Sequence, residues 1–121
     1  MLFNFKLFSR LAERAYNNIG NNAYSLEEVL AVFEYYFDCY EKTFKEVHSN
    51  INIAQIERII RAMPYMDRLT TAQAADCDIE AEIYEDLINK HFKTQYKNCD
   101  YNINHFFSGD IRLMRYYEEI Y

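Results

Sequence analysis

The clearest pattern in the chain is an apolar repeat between residues 26 and 47. Apolar residues recur there at alternating spacings of four and three: Leu26, Leu30, Phe33, Phe37, Tyr40, Phe44 and Val47. Such spacing places them along one side of an α-helix. Val29, Val32 and Tyr36 widen that side, which favours the central helix of a bundle over a two-stranded coiled coil. We therefore predict that this side is buried within one chain; a homodimer that shares it is the alternative.

Capping signals bound the first two helices. A first helix is predicted from Phe3 to Asn18, because apolar residues recur at helical spacing in that stretch. Gly20 stands where a left-handed C-terminal cap is common. The second helix begins at Ser25, whose side chain can form a capping box with that of Glu28.

A third and a fourth helix follow in the second half of the chain. Asn52, with Gln55 three residues later, is predicted to cap a helix from Ile53 to Met63. Pro64 ends it, because the residue before a proline is pushed out of helical geometry. The fourth helix is predicted from Asp78 to Tyr96. Its acidic residues come first and its lysines last, which complements the helix dipole.

Two stretches are less regular. Residues 65–77 give no clear pattern, and residues 101–121 predict a short helical turn and then a last helix after Gly109. Between Cys99 and Asp110, polar side chains alternate with rings. We interpret Asp100 or Asn102 as a helix cap before buried Phe106 and Phe107; a contact loop for a partner is the alternative.

These patterns predict one all-α domain over residues 1–121, a compact bundle of about five helices around a long second helix. The chain has 121 residues, 50% hydrophobic and 26% charged, which is too apolar for a disordered protein. Only two glycines and one proline occur, and no segment shows sustained two-residue alternation, so no strand is predicted.

The N-terminal segment and the cysteines bear on the cellular location of the protein. No continuous apolar core of the secretory type occurs in residues 1–16, which we interpret as a docking helix rather than a transit peptide or membrane anchor. Three cysteines without a CxxC pair do not suggest a disulfide framework. A cytoplasmic location with reduced thiols is the expectation.

No motif for catalysis or phosphate binding is found. The chain lacks GxSxG, SxxK and any glycine-rich loop, so we expect no enzyme and no cofactor. His91, Cys99 and His105 lie at spacings of eight and six, wider than the two to five residues typical of zinc ligand pairs. We interpret the thiols, including Cys39 and Cys77, as small buried side chains, and His91 as partly buried.

Charge is the property that points to a function. The net charge is −6, and residues 26–50 and 76–100 each carry −4. The candidate partner-binding residues are the carboxylates of the second and fourth helices: Glu34, Asp38, Glu41, Glu80, Glu82, Glu85 and Asp86. A solvated polar surface is the alternative interpretation. Twelve tyrosines add side chains that are common at interfaces.

Our functional hypothesis is a non-enzymatic interaction protein, of the size that phages and mobile elements encode. Its carboxylates would dock onto the basic, nucleic-acid-binding surface of a nuclease or defence complex and inhibit it.

The alternative hypothesis is an accessory or regulatory DNA-binding protein. Residues 1–25 and 51–75 carry +2 and +1. Their cations fall on the first and third helices: Lys6, Arg10, Arg14, Arg58 and Arg61. This alternative gains if these cations share one surface, and loses if Glu13 and Glu57 pair with them.

Overall fold

The computed structural model describes residues 3–20, 22–65, 80–94, 96, 99–109 and 111–117. Six helices and no strand occur in this part of the chain, which confirms the all-α bundle. They are α1 (Phe5–Ile19), α2 (Leu26–Phe44), α3 (Ile53–Ala62), α4 (Ile83–Lys93), α5 (Ile103–Phe106) and α6 (Ile111–Tyr117). In the main packing contacts, α1 lies against α3 and α2 against α4.

The central position of α2 is confirmed, but the predicted apolar seam is wrong at its C-terminal end. The buried residues of α2 are Val29, Val32, Phe33, Tyr36 and Phe37. Phe44 and Val47 are 38% and 47% exposed. The buried side instead includes Val29, Val32 and Tyr36, the residues that widen the predicted repeat. The helix also ends at Phe44, and Lys45 after it is left-handed, with φ 57°.

Both predicted capping boxes form. The Ser25 hydroxyl accepts from the Glu28 amide at 3.1 Å, and the Glu28 carboxylate accepts from the Ser25 amide at 2.9 Å. Asn52 and Gln55 make the same reciprocal pair at 2.8 and 2.9 Å. Satisfying amides that lack intrahelical partners fixes where α2 and α3 begin.

The predicted bounds of the first helix are nearly right. Asn4 caps α1 by accepting from the Leu7 amide at 3.1 Å, so the helix begins at Phe5 rather than Phe3. Gly20 follows with the expected positive φ of 81°.

The fourth predicted helix is shorter than expected. Residues 78 and 79 lie outside the described residues, and α4 begins at Ile83, after a turn. It ends at Lys93 because Thr94 is extended. The Tyr101 hydroxyl donates to the Thr94 carbonyl at 2.5 Å and accepts from the Tyr96 amide at 2.8 Å. A side chain from a later segment therefore ends this helix.

The C-terminal segment confirms the capping interpretation. The Asn102 side chain accepts from the Asn104 amide at 2.9 Å at the start of α5, and Asp100 accepts from the Asn102 amide at 2.9 Å. Phe106 and Phe107 are buried. Of the irregular stretch 65–77, only Tyr65 lies within the described residues.

The C-terminal end of α3 joins four segments through buried hydrogen bonds. The Met63 carbonyl accepts from the hydroxyls of Tyr24 at 3.2 Å and Tyr84 at 2.5 Å. Arg112 Nη1 donates to the Ala62 carbonyl at 2.7 Å and to the Tyr84 hydroxyl at 2.8 Å. The last carbonyls of a helix lack intrahelical partners and carry partial negative charge, so they suit these donors. This set is called the α3 hub below.

Replacing Tyr84 with Phe tests the α3 hub. The variant removes one donor to Met63 and one acceptor from Arg112, and we expect a loss of about 1 to 2 kcal/mol in the free energy of unfolding. Tyr40→Phe is the control, since the half-buried Tyr40 hydroxyl has no hydrogen-bond partner among the described residues. Urea unfolding should show a change of less than about 0.5 kcal/mol for the control. Equal losses in the two variants would contradict the hub.

Candidate functional site

A groove of about 360 Å³ runs between α2 and α4. It is called the acidic groove here, and its lining residues are Glu28, Ala31, Val32, Tyr35, Ala81, Glu82, Tyr84, Glu85 and Ile88. Small and branched apolar side chains supply its floor. Glu28 from α2, with Glu82 and Glu85 from the start of α4, brings three exposed carboxylates to its edge.

Local structure positions these carboxylates. Glu28 is held in the capping box of α2. Glu82 and Glu85 stand at the N-terminal end of α4, where the helix dipole stabilises negative charge. The Tyr35 hydroxyl donates to Asn89 Oδ1 at 2.5 Å, a hydrogen bond that links α2 to α4 beside the groove.

A second depression, about 430 Å³, extends the acidic groove along α2. Ala31 and Tyr35 line both, and Glu34 and Asp38 complete the extension. From Glu28 to Asp38 the helix rises about 15 Å, or nearly three turns. Carboxylates, a small residue and a tyrosine therefore follow one another along this side of α2.

The structure brings together four of the predicted partner-binding residues. Glu82 and Glu85 line the acidic groove, and Glu34 and Asp38 line its extension. Asp38 forms an ion pair with Lys42 at 2.9 Å. Two acidic sets that lie far apart in sequence thus share one surface, because α2 packs against α4.

The other predicted carboxylates do not line the groove. Glu80 is exposed in the turn before α4, and Glu41 is half-buried on α2. Asp86 pairs with Lys90 at 3.5 Å, as their spacing predicts. Glu28 lines the groove but was missing from the predicted set; the sequence signal for it, the capping box, indicated a structural role only.

The five predicted nucleic-acid-binding cations lie on two helices that pack together, and they are called the basic face. Lys6, Arg10 and Arg14 are exposed on α1, and Arg58 and Arg61 are exposed on α3. These two helices pack against each other. Within the described part of the chain, neither Glu13 nor Glu57 forms an ion pair with these cations.

One contact and one exposed apolar side chain modify the character of the basic face. Arg58 Nη2 donates to Asn104 Oδ1 at 2.8 Å, so this guanidinium is partly engaged. Leu7 is 55% exposed on α1, among the cations. An exposed leucine beside three cations gives this side of α1 an apolar as well as a basic character.

His91 is fully buried, more than the partial burial predicted from sequence. Its Nδ1 accepts from Arg115 Nε at 3.0 Å, and the rings of Tyr101 and Phe106 lie 4.9 Å away. Burial, with Arg115 adding to it, lowers the pKa of His91 to about 3. The ring is therefore a neutral acceptor, not a general acid or base near neutral pH.

Arg112 and Arg115 are buried cations that the sequence analysis missed. Arg112 is 2% exposed and lies 5.0 Å from the centre of the Phe107 ring. Arg115 is 3% exposed and lies 3.5 Å over the Tyr96 ring. Carbonyl and aromatic partners supplied by other segments hold these charges in the interior.

The residues weighed as metal ligands in the sequence were interpreted as buried side chains instead. Cys99 and His105 are half-buried, and no three His, Cys, Asp or Glu side chains among the described residues are placed to hold a metal ion. Cys39 is also half-buried rather than buried, and burial raises the pKa of its thiol. Cys77 lies outside the described residues.

Comparisons with known proteins give no information on the function of the groove, which is therefore interpreted from its geometry. No family model, curated protein or solved structure matches the chain. None of the helices in the described ranges has the length and apolar character needed to span a bilayer.

The buried His91 makes stability depend on pH. Its pKa is about 3 when folded and about 6.5 when unfolded, so the unfolded chain binds more protons between these values. The stabilisation is complete above pH 6.5 and falls as the pH drops below it, by about 2 kcal/mol at pH 5. Burial lowers the pKa of His48 as well, which acts in the same direction.

Urea unfolding at pH 7.5 and 5 measures this loss. A His91→Gln variant should lose less stability over that interval than the wild type. The control is Tyr40→Phe, which removes no group that titrates between pH 5 and 7.5 and should keep the wild-type pH dependence. Identical pH dependence in the wild type and the His91 variant would rule out His91 as the source.

Proposed function

We propose that this protein is a non-enzymatic interaction protein whose acidic groove docks onto a basic surface of another protein. The observation that carries the proposal is that three carboxylates from two helices edge an apolar floor. Exposed ion pairs alone contribute about 0 to 1 kcal/mol, so a set of carboxylates on a flat surface would bind weakly. A floor that buries apolar side chains adds the affinity that charge alone lacks.

Charge and shape together define the partner surface. Carboxylates attract lysine and arginine during diffusion and select a basic partner. The walls of the groove are helices whose backbone amides and carbonyls bond to each other, so an extended peptide finds no strand edge there. A helix with satisfied backbone groups fits better, with lysine or arginine flanking a short apolar stripe.

The consequence for the partner is inhibition. Basic surfaces that bind nucleic acids use the same lysine and arginine side chains to contact phosphates. Occupation of those side chains by Glu28, Glu82 and Glu85 would exclude the phosphates. A nuclease or a defence complex with such a surface is the class of target that we propose, and a phage or mobile element is the class of source.

A second candidate function is DNA binding through the basic face. It is favoured by the exposure of five cations on two helices that pack together. The net charge of −6 opposes it, because a negatively charged protein is repelled by the phosphates of DNA and only its local cations favour binding. We therefore place it second.

Neutralising the groove tests the first proposal. The probe is a fluorescent amphipathic helix of about 18 residues, with lysines beside a leucine stripe. We expect Glu82→Gln/Glu85→Gln to weaken binding at least about tenfold, equivalent to about 1.4 kcal/mol, in anisotropy titrations. Glu46→Lys is the matched control, since it changes the net charge by the same +2 at an exposed position outside the groove.

The control separates specific docking from general charge attraction. It should bind within about twofold of the wild type, and equal weakening in the two variants would contradict docking at the groove. A labelled DNA duplex distinguishes the second candidate. The DNA-binding function would be favoured if the wild type bound the duplex but not the basic helix, and if Arg10→Glu/Arg14→Glu lost binding to the duplex.

A further inference from the structure

We infer that the acidic groove also accepts a second copy of this chain, whose basic face docks into it head to tail. This contact uses the same groove as the proposed contact with a foreign partner, but its occupant is the protein itself. The two surfaces lie on different helix pairs, α1 with α3 and α2 with α4, so one copy can present both. A protein that stays monomeric would leave the proposed function standing.

The exposed side of α1 has the chemistry that the groove requires. Leu7, Arg10 and Arg14 follow at spacings of three and four, and Lys6 stands beside Leu7. Leu7 is 55% exposed, so its side chain is available for contact with the groove of another copy. As a helix, α1 already satisfies its own backbone groups.

The dimensions of the two surfaces agree. Lys6 to Arg14 spans about 12 Å along α1, and Glu28 to Asp38 spans about 15 Å along α2. The leucine can meet the floor formed by Ala31, Val32 and Ile88. The arginines then lie within reach of carboxylates at the edges of the groove and its extension.

The symmetry of this contact determines the product. A basic face that meets an acidic groove is a heterologous contact, which leaves one surface of each type free at the ends. Association therefore continues to chains or closes into a ring. Two-fold pairing through either surface alone would bring like charges together, which is unfavourable.

Salt controls the strength of the contact. The net charge of −6 repels copies at long range, while the two faces attract at short range. At about 20 mM salt the attraction between faces acts over more than 10 Å, and at about 0.3 M it is largely screened. We expect concentration-dependent association at the lower salt and monomers at the higher salt.

Complementation between two variants tests the contact in sedimentation-velocity runs. Arg10→Glu/Arg14→Glu keeps the groove and loses the basic face, whereas Glu82→Lys/Glu85→Lys keeps the basic face and loses the groove. Each alone is expected to be monomeric. An equimolar mixture is expected to associate through the intact groove of the first variant and the intact basic face of the second. Its two reversed surfaces carry opposite charges and can extend the assembly, whereas the neutralised surfaces of the corresponding Gln variants should stop theirs at two chains. Glu46→Lys should assemble like the wild type.

Two results would overturn the inference. One is a wild type that stays monomeric at about 20 mM salt up to about 1 mM protein. The other is a mixture of the two variants that forms no dimer although circular dichroism shows both to be folded. If either reversal variant does not fold, the corresponding Gln variants, Arg10→Gln/Arg14→Gln and Glu82→Gln/Glu85→Gln, are used, and the same two results decide.

Discussion

The buried donors at the C-terminal end of α3 are the interaction on which the rest of the structure depends. Tyr24, Tyr84 and Arg112 come from three separate segments and converge on the carbonyls of Ala62 and Met63. Burying a guanidinium is costly unless its hydrogen bonds are made, so the charge of Arg112 constrains where α6 can lie. Tyr84 belongs to α4 and lines the acidic groove, so the same hydrogen bonds help to fix the groove wall.

Separation of charge is the second constraint, and it connects the fold with the proposed function. Each helix buries an apolar side and exposes a charged one, as amphipathic helices do. Because α1 packs against α3 and α2 against α4, five exposed cations lie on the first pair and most of the helical carboxylates lie on the second. Net charge alone describes an ordinary acidic protein, whereas this pairing places the acidic groove and the basic face on different helices, as the proposed function requires.

Local signals in the sequence predicted the helices well, whereas features that depend on tertiary packing were not predicted. The Ser25 and Asn52 capping boxes act within four residues, so their outcome could be predicted without the fold. The end of α4 depends on the hydroxyl of Tyr101, which no local pattern reveals. In the same way, the burial of Arg112 depends on the Ala62 carbonyl, fifty residues earlier in the chain. The acidic residues of the second and fourth predicted helices were identified from sequence, but the groove between them was not, because its geometry arises from helix packing.

Mapping of amide chemical shifts by NMR tests most directly whether a basic helix binds between α2 and α4. Isotope-labelled protein is titrated with the lysine–leucine helix, and the shifts of each amide are followed. If the helix docks in the groove, the largest changes cluster at Ala31, Tyr35, Ala81 and Ile88, the floor and walls of the groove and its extension. Changes that centre on Arg10 and Arg58, or that spread evenly over all exposed carboxylates, would contradict it.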